Sequence, residues 1–567
     1  MRTLAALLAL VLAVPASGQQ PDDRDSGFPL LPEQGAFDAT YYRLDLAIDP
    51  EAKTLGGTML MESRIVTPTD VIVLDLDDAL AVEGVEQVGY LADSGDEVTL
   101  PLRFERIPNQ IRIHLGRTAQ PLEGLRVRVA YGGTPREAPR PPWDGGLTWA
   151  ETEDGRPWVA VSCQIQGADL WWPVKDHPSD EADSVRVALT VPADLRAVAN
   201  GVWEGRTDNG DGTATETWFA SMPTNNYGVS FGVAPYEVVE RPYESPAGWS
   251  QTVPFYVLPE RVADAERQMP GFLDALAFLE RTFGPYPWRA DGYKVLHTPY
   301  LGMEHQTVVA YGSTFEDNAF GFDWLHFHEL AHEWWANLGT APDWRDFWVH
   351  ESFANYAEAL YAEDIARRNG EDADAAYLRY MMRSRGSLRN VIPVAPRETR
   401  TTEQMYQLPD GRSNGDIYSK GGWVLHSMRY LIGDDARFFE ALRGILYPAA
   451  AFEAMTDGRQ ARFVTTADVL RALSLAAGRD LSGEFEVYLR QPALPRLGVE
   501  RDGVDLVLRW MLPEAAADAR FEVPVEVVVG GEARRVEMPG GVGRTPVPEG
   551  AAWEVDPNVR VLFDLAE

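Results

Sequence analysis

Hydrophobic and polar residues alternate in two regions of the chain. From about 38 to 240, stretches such as YYRLDLAID and LRVRVAYGG place every second side chain on one face, which predicts antiparallel strands. From about 491 the alternation returns in stretches such as DGVDLVLRW and FEVPVEVVVGG. We therefore predict β structure both before and after the middle of the chain.

The middle of the chain has the spacing of helices. From about 253 to 490, stretches such as ESFANYAEALYAEDIARRNG carry apolar residues three or four positions apart. The predicted fold is a multidomain α+β protein, with an N-terminal antiparallel β domain, a mostly helical domain and a small C-terminal β sandwich. The predicted bounds of these three domains are 19–240, 241–490 and 491–567.

The first eighteen residues have the pattern of a secretory signal peptide. An apolar run from Leu4 to Val14 follows Arg2, and Gly18 suits a cleavage site. The run is too short to cross a membrane, and no later run reaches about 18 apolar residues. We expect residues 1–18 to be removed and the protein to be exported, either periplasmic or secreted, with no integral membrane span.

The charge and the cysteine content exclude several partners and sites. The formal net charge is −35, and such a polyanion is repelled by nucleic acid and by anionic lipid. The charge is typical of a solubilising surface, with attraction of cationic substrates as the alternative. Cys163 is the only cysteine, which excludes an internal disulfide and a thiolate-rich metal site.

Three of the nine histidines lie within seven residues, HFHELAH. On a predicted helix that ends at Gly339, His328 and His332 share one face with apolar residues, and buried imidazoles need polar partners. A metal ion bound by both rings supplies one partner for the two. Glu329 lies at the edge of the same face and suits the role of general base in the H-E-x-x-H arrangement. The motif arises by chance on the order of 0.01 times in such a chain, so we favour a metal site over two ordinary core histidines.

A catalytic zinc ion uses a third protein ligand and keeps one position open. Eighteen residues separate His332 from Glu351, which lies at the start of the next predicted helix. Two antiparallel helices joined by a short loop bring this glutamate back to the histidine pair, and Glu351 is the predicted third ligand. Asn355, one turn later, is either a supporting group or a surface amide. We expect His326 and His350 to be ordinary polar residues.

With these residues in place, the chain resembles the aminopeptidase N family of gluzincin zinc metallopeptidases, which also includes leukotriene epoxide hydrolase. The resemblance covers nearly the whole chain after the predicted signal peptide. It rests on the separate segments HELAHEWW, WVHESFANYAE, YLGMEHQT and DIYSKGGWVLHSM. It implies a thermolysin-like catalytic domain, one zinc ion per chain and peptide substrates.

The resemblance also implies roles for residues outside the zinc motif. Glu304 matches the glutamate that binds the free α-amine of the substrate in that family. Tyr418 matches the tyrosine that donates a hydrogen bond to the developing oxyanion. The family places a glutamine or glutamate beside the amine-binding glutamate; within CQIQGADLWW, Gln166 is our choice and Gln164 the alternative.

The expected function is therefore that of an exported zinc aminopeptidase, which releases N-terminal residues from peptides by attack of a metal-activated water. Leu301 and His305 replace the first glycine and the asparagine of the family's amine-binding segment. An endopeptidase without a strict need for a free amine is therefore one alternative. A non-catalytic relative that only binds peptides is the other.

Overall fold

The computed structural model describes residues 26–91 and 95–566, so the predicted signal peptide lies outside the described residues. The part before the helical region is built almost entirely from strands. In the first strand, Tyr42, Leu44 and Leu46 are buried and the residues between them are more exposed, as alternation predicts. The strands of this part are β1 (Phe37–Asp49), β2 (Thr54–Ile65), β3 (Thr69–Asp75), β4 (Leu80–Tyr90), β5 (Glu97–Pro101), β6 (Arg103–Ile107), β7 (Gln110–Ala119), β8 (Gly124–Gly133), β9 (Gly146–Glu151), β10 (Pro157–Ser162), β11 (Ser184–Pro192), β12 (Arg196–Ala199), β13 (Val202–Asp208), β14 (Thr213–Ala220) and β15 (Phe231–Ala234).

Within the described residues, these strands form three sheets. The largest has the order β13-β14-β11-β1-β2-β8-β4-β5, in which β1 and β11 are parallel and the other neighbours antiparallel. The other two have the orders β12-β15-β10-β9 and β3-β7-β6. Their apolar core continues into the helical region through residues such as Met303, Phe347 and Tyr406. This shared core fixes the loop after β10 against the helices.

A five-stranded sheet leads into the helical region. It has the order β16-β17-β18-β20-β19, with β17, β18 and β20 parallel and the outer strands antiparallel to their neighbours. The edge strand β19 ends at Met303, so Glu304 follows it directly. The strands are β16 (Glu237–Glu244), β17 (Ser250–Val257), β18 (Lys294–His297), β19 (Gly302–Met303) and β20 (Val308–Tyr311).

Helices make up most of the next part of the chain. The longest helices are α1 and α3, and α3 packs against α2, α4 and α6. Two short parallel strands, β21 (Gly339–Thr340) and β22 (Arg462–Phe463), lie among them. The helices are α1 (Val262–Phe283), α2 (Trp324–Ala331), α3 (Trp348–Asn369), α4 (Ala373–Arg385), α5 (Thr402–Tyr406), α6 (Ser419–Ile432), α7 (Asp435–Leu446), α8 (Ala450–Glu453), α9 (Thr466–Ala477) and α10 (Ser482–Leu489).

The helix that carries the histidine pair is shorter than the sequence predicts. The apolar stripe predicts one helix as far as Gly339, but α2 ends at Ala331 and a π-helical segment follows over Glu333–Leu338. Within this segment Trp335 has non-helical backbone angles, φ −107° and ψ 67°. The break turns the Trp335 carbonyl oxygen to within 2.9 Å of Nδ1 of His332. Such interruptions are frequent at functional sites.

The chain returns to strands at its end. They form two sheets with the orders β27-β24-β23-β29 and β26-β25-β28, and the Tyr488 hydroxyl on α10 donates to the Leu562 carbonyl at 2.9 Å. The predicted order of β, mostly α and then β structure is confirmed. None of the helices within 26–91 and 95–566 has the length and hydropathy that a membrane span needs. The last strands are β23 (Arg496–Asp502), β24 (Asp505–Met511), β25 (Val525–Val529), β26 (Glu532–Val536), β27 (Val542–Pro546), β28 (Trp553–Val555) and β29 (Asp564–Leu565).

Candidate metal centre and active site

The two motif histidines face each other at the end of α2, with His328 in its last turn and His332 at its C-cap. The Asp323 carboxylate caps this helix by accepting the backbone N–H groups of Leu325 and His326. One and two turns further along, His328 and His332 are buried, and their Nε2 atoms lie 3.2 Å apart. The helical spacing thus brings the Nε2 atoms of the two imidazole rings close together.

The other nitrogen of each ring has a partner that only accepts hydrogen bonds. Nδ1 of His328 lies 2.7 Å from Oε1 of Glu358, and Nδ1 of His332 lies 2.9 Å from the Trp335 carbonyl oxygen. In a neutral ring, Nδ1 therefore carries the proton and Nε2 carries the lone pair. Two lone pairs that face each other repel unless a cation lies between them, which is how metal-binding histidines are arranged.

Glu351, in the first turn of α3, completes the set of donors. Its Oε2 atom lies 3.4 Å from Nε2 of His328 and 3.5 Å from Nε2 of His332. No hydrogen-bond donor reaches this buried oxygen from the described part of the chain. Its Oε1 atom accepts from the hydroxyls of Tyr406 and Tyr418 at 2.9 and 3.0 Å. One oxygen is thus held in place and the other is left to a ligand.

These distances fit a tetrahedral zinc ion. Zinc bonds of about 2.0–2.2 Å to nitrogen and oxygen place the ligand atoms about 3.3 Å from one another. The three observed separations are 3.2, 3.4 and 3.5 Å. Three protein ligands leave the fourth position open, which is the pattern of a catalytic site rather than a structural one. The structure brings the three predicted ligands together.

Glu329 follows His328 in the sequence, and its side chain lines the cavity that the three predicted ligands also line. Burial raises the pKa of its carboxyl to about 8, which suits a group that accepts a proton near neutral pH. Gly302 makes room for it, because a Cβ atom there would lie 3.0 Å from Oε1 of Glu329. Ligand atoms of Glu329, Glu304 and His332 lie within 4.8 Å of one another. Glu329 is therefore close enough to the metal position to receive a proton from an attacking water.

Glu304 lies in a buried polar cluster beside the metal ligands. Its Oε1 atom accepts from Nε2 of Gln164 at 2.6 Å and from the Tyr227 hydroxyl at 3.2 Å. Gln166 is directed elsewhere, and its Oε1 atom accepts from the backbone N–H of Gly145 at 2.5 Å. The structure therefore corrects the sequence-based choice: Gln164, the alternative, occupies the place beside Glu304.

Tyr418 lies immediately before α6 and lines the cavity. Its hydroxyl donates to Oε1 of Glu351 and lies 3.0 Å from the Tyr406 hydroxyl. Burial raises the pKa of the Tyr418 hydroxyl well above its usual value, so the group keeps its proton and can donate it in a hydrogen bond. Its part in oxyanion stabilisation stays a prediction.

The two neighbouring histidines have partners away from the metal position. His326 stacks on Phe272, with ring centres 3.6 Å apart, and bonds to the Tyr293 hydroxyl. Nε2 of His350 accepts a backbone N–H at 2.9 Å. Neither ring lines the cavity, whereas Asn355 does. Both histidines thus have the character of packed structural residues.

Glu358, Tyr406 and Tyr227 belong to the site although no motif pointed to them. Glu358 lies two helical turns after Glu351, so the spacing on α3 could have indicated it. The two tyrosines come from segments distant in sequence and carry no local signal. Their contacts show that the metal ligands and Glu304 are held by a surrounding layer of hydrogen bonds.

The site opens into a cavity of about 430 Å³, a usual size for a small-molecule or peptide pocket. Its wall includes Trp143 from the N-terminal β part, Met303 at the end of the edge strand β19, and Trp324 and Met381 from the helices. The fold and the site together define a metallohydrolase of the two-histidine, one-glutamate class, with a glutamate placed as base.

Comparisons with known proteins agree with this class. The sequence matches the Peptidase M1 N-terminal domain over residues 38–227 and the Peptidase family M1 domain over residues 316–482. The chain belongs to peptidase family M1.

Several characterised proteins are similar to it. Aminopeptidase B of Rattus norvegicus is 23% identical over 438 residues, in a match that covers 72% of this chain and 63% of the relative. Aminopeptidase N of Lactococcus lactis subsp. lactis is 26% identical over 37% of this chain and 24% of its own length. The chain thus spans less than two thirds of the length of these relatives. An M1 zinc metallopeptidase structure from Deinococcus radiodurans is 26% identical with a TM-score of 0.62, covering 83% of this chain and 98% of that one.

Proposed function

We propose that this chain is a zinc-dependent aminopeptidase that removes N-terminal residues from peptides. The observation that carries the proposal is the position of Glu304 in the same cavity as His328, His332 and Glu351. A carboxylate there binds the ammonium group of a free N-terminus at a set distance from the scissile carbonyl, which selects cleavage at the first peptide bond. The aminopeptidase names of the relatives support the same activity.

Each polar residue of the cavity has a separate role in hydrolysis. Zinc, when bound by the three ligands, polarises the scissile carbonyl and makes the attacking water more acidic. Glu329 accepts the proton of that water and passes it to the leaving amine. Tyr418 donates a hydrogen bond to the oxygen on which negative charge develops. Glu304, held by Gln164 and Tyr227, binds the N-terminal ammonium.

The test is Glu329→Gln, assayed on chromogenic aminoacyl amides. The amide cannot accept the proton, so kcat should fall by about 10²- to 10⁴-fold. Zinc content should stay at one ion per chain, since Glu329 is not one of the ligands. Turnover near that of the unaltered protein would contradict the proposed mechanism.

An endopeptidase is the second candidate because Leu301, one of the two departures from the family's amine-binding segment, lines the cavity. Free peptides and their N-acetylated forms separate the two activities. An aminopeptidase cleaves only the free form, because acetylation removes the positive charge that Glu304 binds. Equal cleavage of both forms would favour the endopeptidase. A non-catalytic binder would hydrolyse neither form, with or without zinc.

We also propose export of the protein from the cytoplasm. The support is the basic, apolar and small-residue pattern of residues 1–18. N-terminal sequencing of protein recovered outside the cytoplasm tests this proposal, and a mature chain that still begins at Met1 would contradict it.

A further inference from the structure

The cavity of the proposed aminopeptidase is strongly acidic. Carboxylates of Glu304, Glu329, Glu351 and Glu358 all line it. Among the described residues that form its wall, Arg383 is the one lysine or arginine. A single basic group in an acidic cavity, on a chain of net charge −35, suits recognition of an anionic part of the substrate.

Arg383 is held over aromatic rings rather than by a carboxylate. It lies in the last turn of α4, with its guanidinium carbon 4.8 Å from the centre of the Tyr380 ring and 5.8 Å from that of Phe320. No Asp or Glu from the described part of the chain forms an ion pair with it, and the side chain is exposed. The aromatic rings hold the planar guanidinium, which also contacts the Tyr380 hydroxyl, and its remaining N–H groups are available for a bond to a carboxylate.

The position of Arg383 relative to the metal ligands follows from a chain of contacts. The Tyr380 hydroxyl donates to Glu358, and Glu358 accepts from Nδ1 of His328 at 2.7 Å. Arg383 thus lies on the side of His328 that Glu358 and Tyr380 occupy. Glu304 contacts a different set of residues, Gln164 and Tyr227. A peptide whose amine is bound by Glu304 would extend past the metal ligands toward α4.

We propose that Arg383 binds a carboxylate in the departing part of the peptide, and that the preferred substrates are di- and tripeptides with a free C-terminus. This inference rests on the proposed aminopeptidase function. Two departing residues span about 7 Å when extended, so in a short peptide the terminal carboxylate stays close to the scissile bond. In a long peptide it would lie far outside the cavity. Arg383 therefore selects for length as well as for charge.

The experiment compares trialanine with trialanine amide in the zinc-loaded protein. For the unaltered protein, kcat/KM should be about tenfold higher for the free acid, mainly through a lower KM. Arg383→Gln should bring this ratio close to one. Arg379→Gln is the matched control, because Arg379 is also exposed on α4 and stacks on Phe320 but lies outside the cavity. The ratio is measured within each variant, so a general loss of activity cancels.

Several outcomes separate this inference from the proposed function. If aminoacyl amides are not hydrolysed at all, the aminopeptidase proposal fails. If they are hydrolysed but the acid-to-amide ratio of the unaltered protein is near one, or survives Arg383→Gln, binding of the C-terminal carboxylate by Arg383 is refuted. Alanyl-aspartyl amide carries only a side-chain carboxylate. A dependence on Arg383 for that substrate alone would support carboxylate binding and assign it to an acidic side chain instead of the C-terminus.

Discussion

Replacing Glu358 by glutamine should weaken zinc binding while leaving the fold intact. Glu358 touches no metal position itself; its Oε1 atom lies 2.7 Å from Nδ1 of His328 and its other oxygen accepts from the Tyr380 hydroxyl. A glutamine can still accept the Nδ1 proton and donate to the Tyr380 oxygen. The substitution therefore removes the negative charge and keeps the hydrogen bonds.

The expected loss of zinc affinity follows from the effect of the Glu358 charge on His328. A carboxylate on Nδ1–H makes the opposite nitrogen a better electron donor, and loss of such a partner costs about 10- to 100-fold in metal affinity. This corresponds to about 1.4–2.7 kcal/mol of binding free energy. Glu358 is only 4% exposed, so solvent does not compensate for the loss of its negative charge.

The assay is competition for zinc between the protein and a chelator of known affinity. Glu363→Gln is the matched control, because Glu363 is also buried on α3 but pairs with Arg367 and Arg429 instead of a histidine. The Kd for zinc should rise in the Glu358 variant and stay unchanged in the control. Urea unfolding of the metal-free proteins shows whether the fold survives. A Glu358→Gln protein that folds and binds zinc within twofold of the unaltered protein would refute the reasoning.

Two further predictions concern the oxyanion donor and the packing behind the site. Tyr418→Phe should lower kcat on aminoacyl amides by about 10²- to 10³-fold with little change in KM, and an unchanged kcat would remove Tyr418 from the mechanism. Gly421→Ala should lower the free energy of unfolding by about 1–3 kcal/mol, because the new Cβ would lie 1.9 Å from Oγ of Ser352. The double variant Gly421→Ala with Ser352→Gly should recover part of that loss, measured by urea unfolding. If the free-energy changes of the two single variants simply add in the double variant, the two positions do not clash.

The elements of the fold and the metal ligands could be predicted because their signals are local. Alternation along β1 reflects burial of one face of a strand, and the apolar spacing of α1 reflects burial of one face of a helix. The spacing of His328 and His332 is likewise a property of a single helical turn. By contrast, the end of α2 at Ala331 contradicts the uninterrupted apolar stripe. A sequence pattern reports which residues are buried, and the π-helical segment remains just as buried as a helix would be.

The sequence by itself determined the order of β and α regions, the pair of imidazoles and the acidic character of the chain. Only the tertiary structure decided between Gln164 and Gln166, because Gln164 meets Glu304 across 140 positions of sequence. The tertiary structure likewise placed Glu358 on His328 and Arg383 in the wall of the cavity. Periodicity fixes which face of an element is buried, whereas the partner across a packed interface depends on how distant segments are brought together, and no local pattern records that.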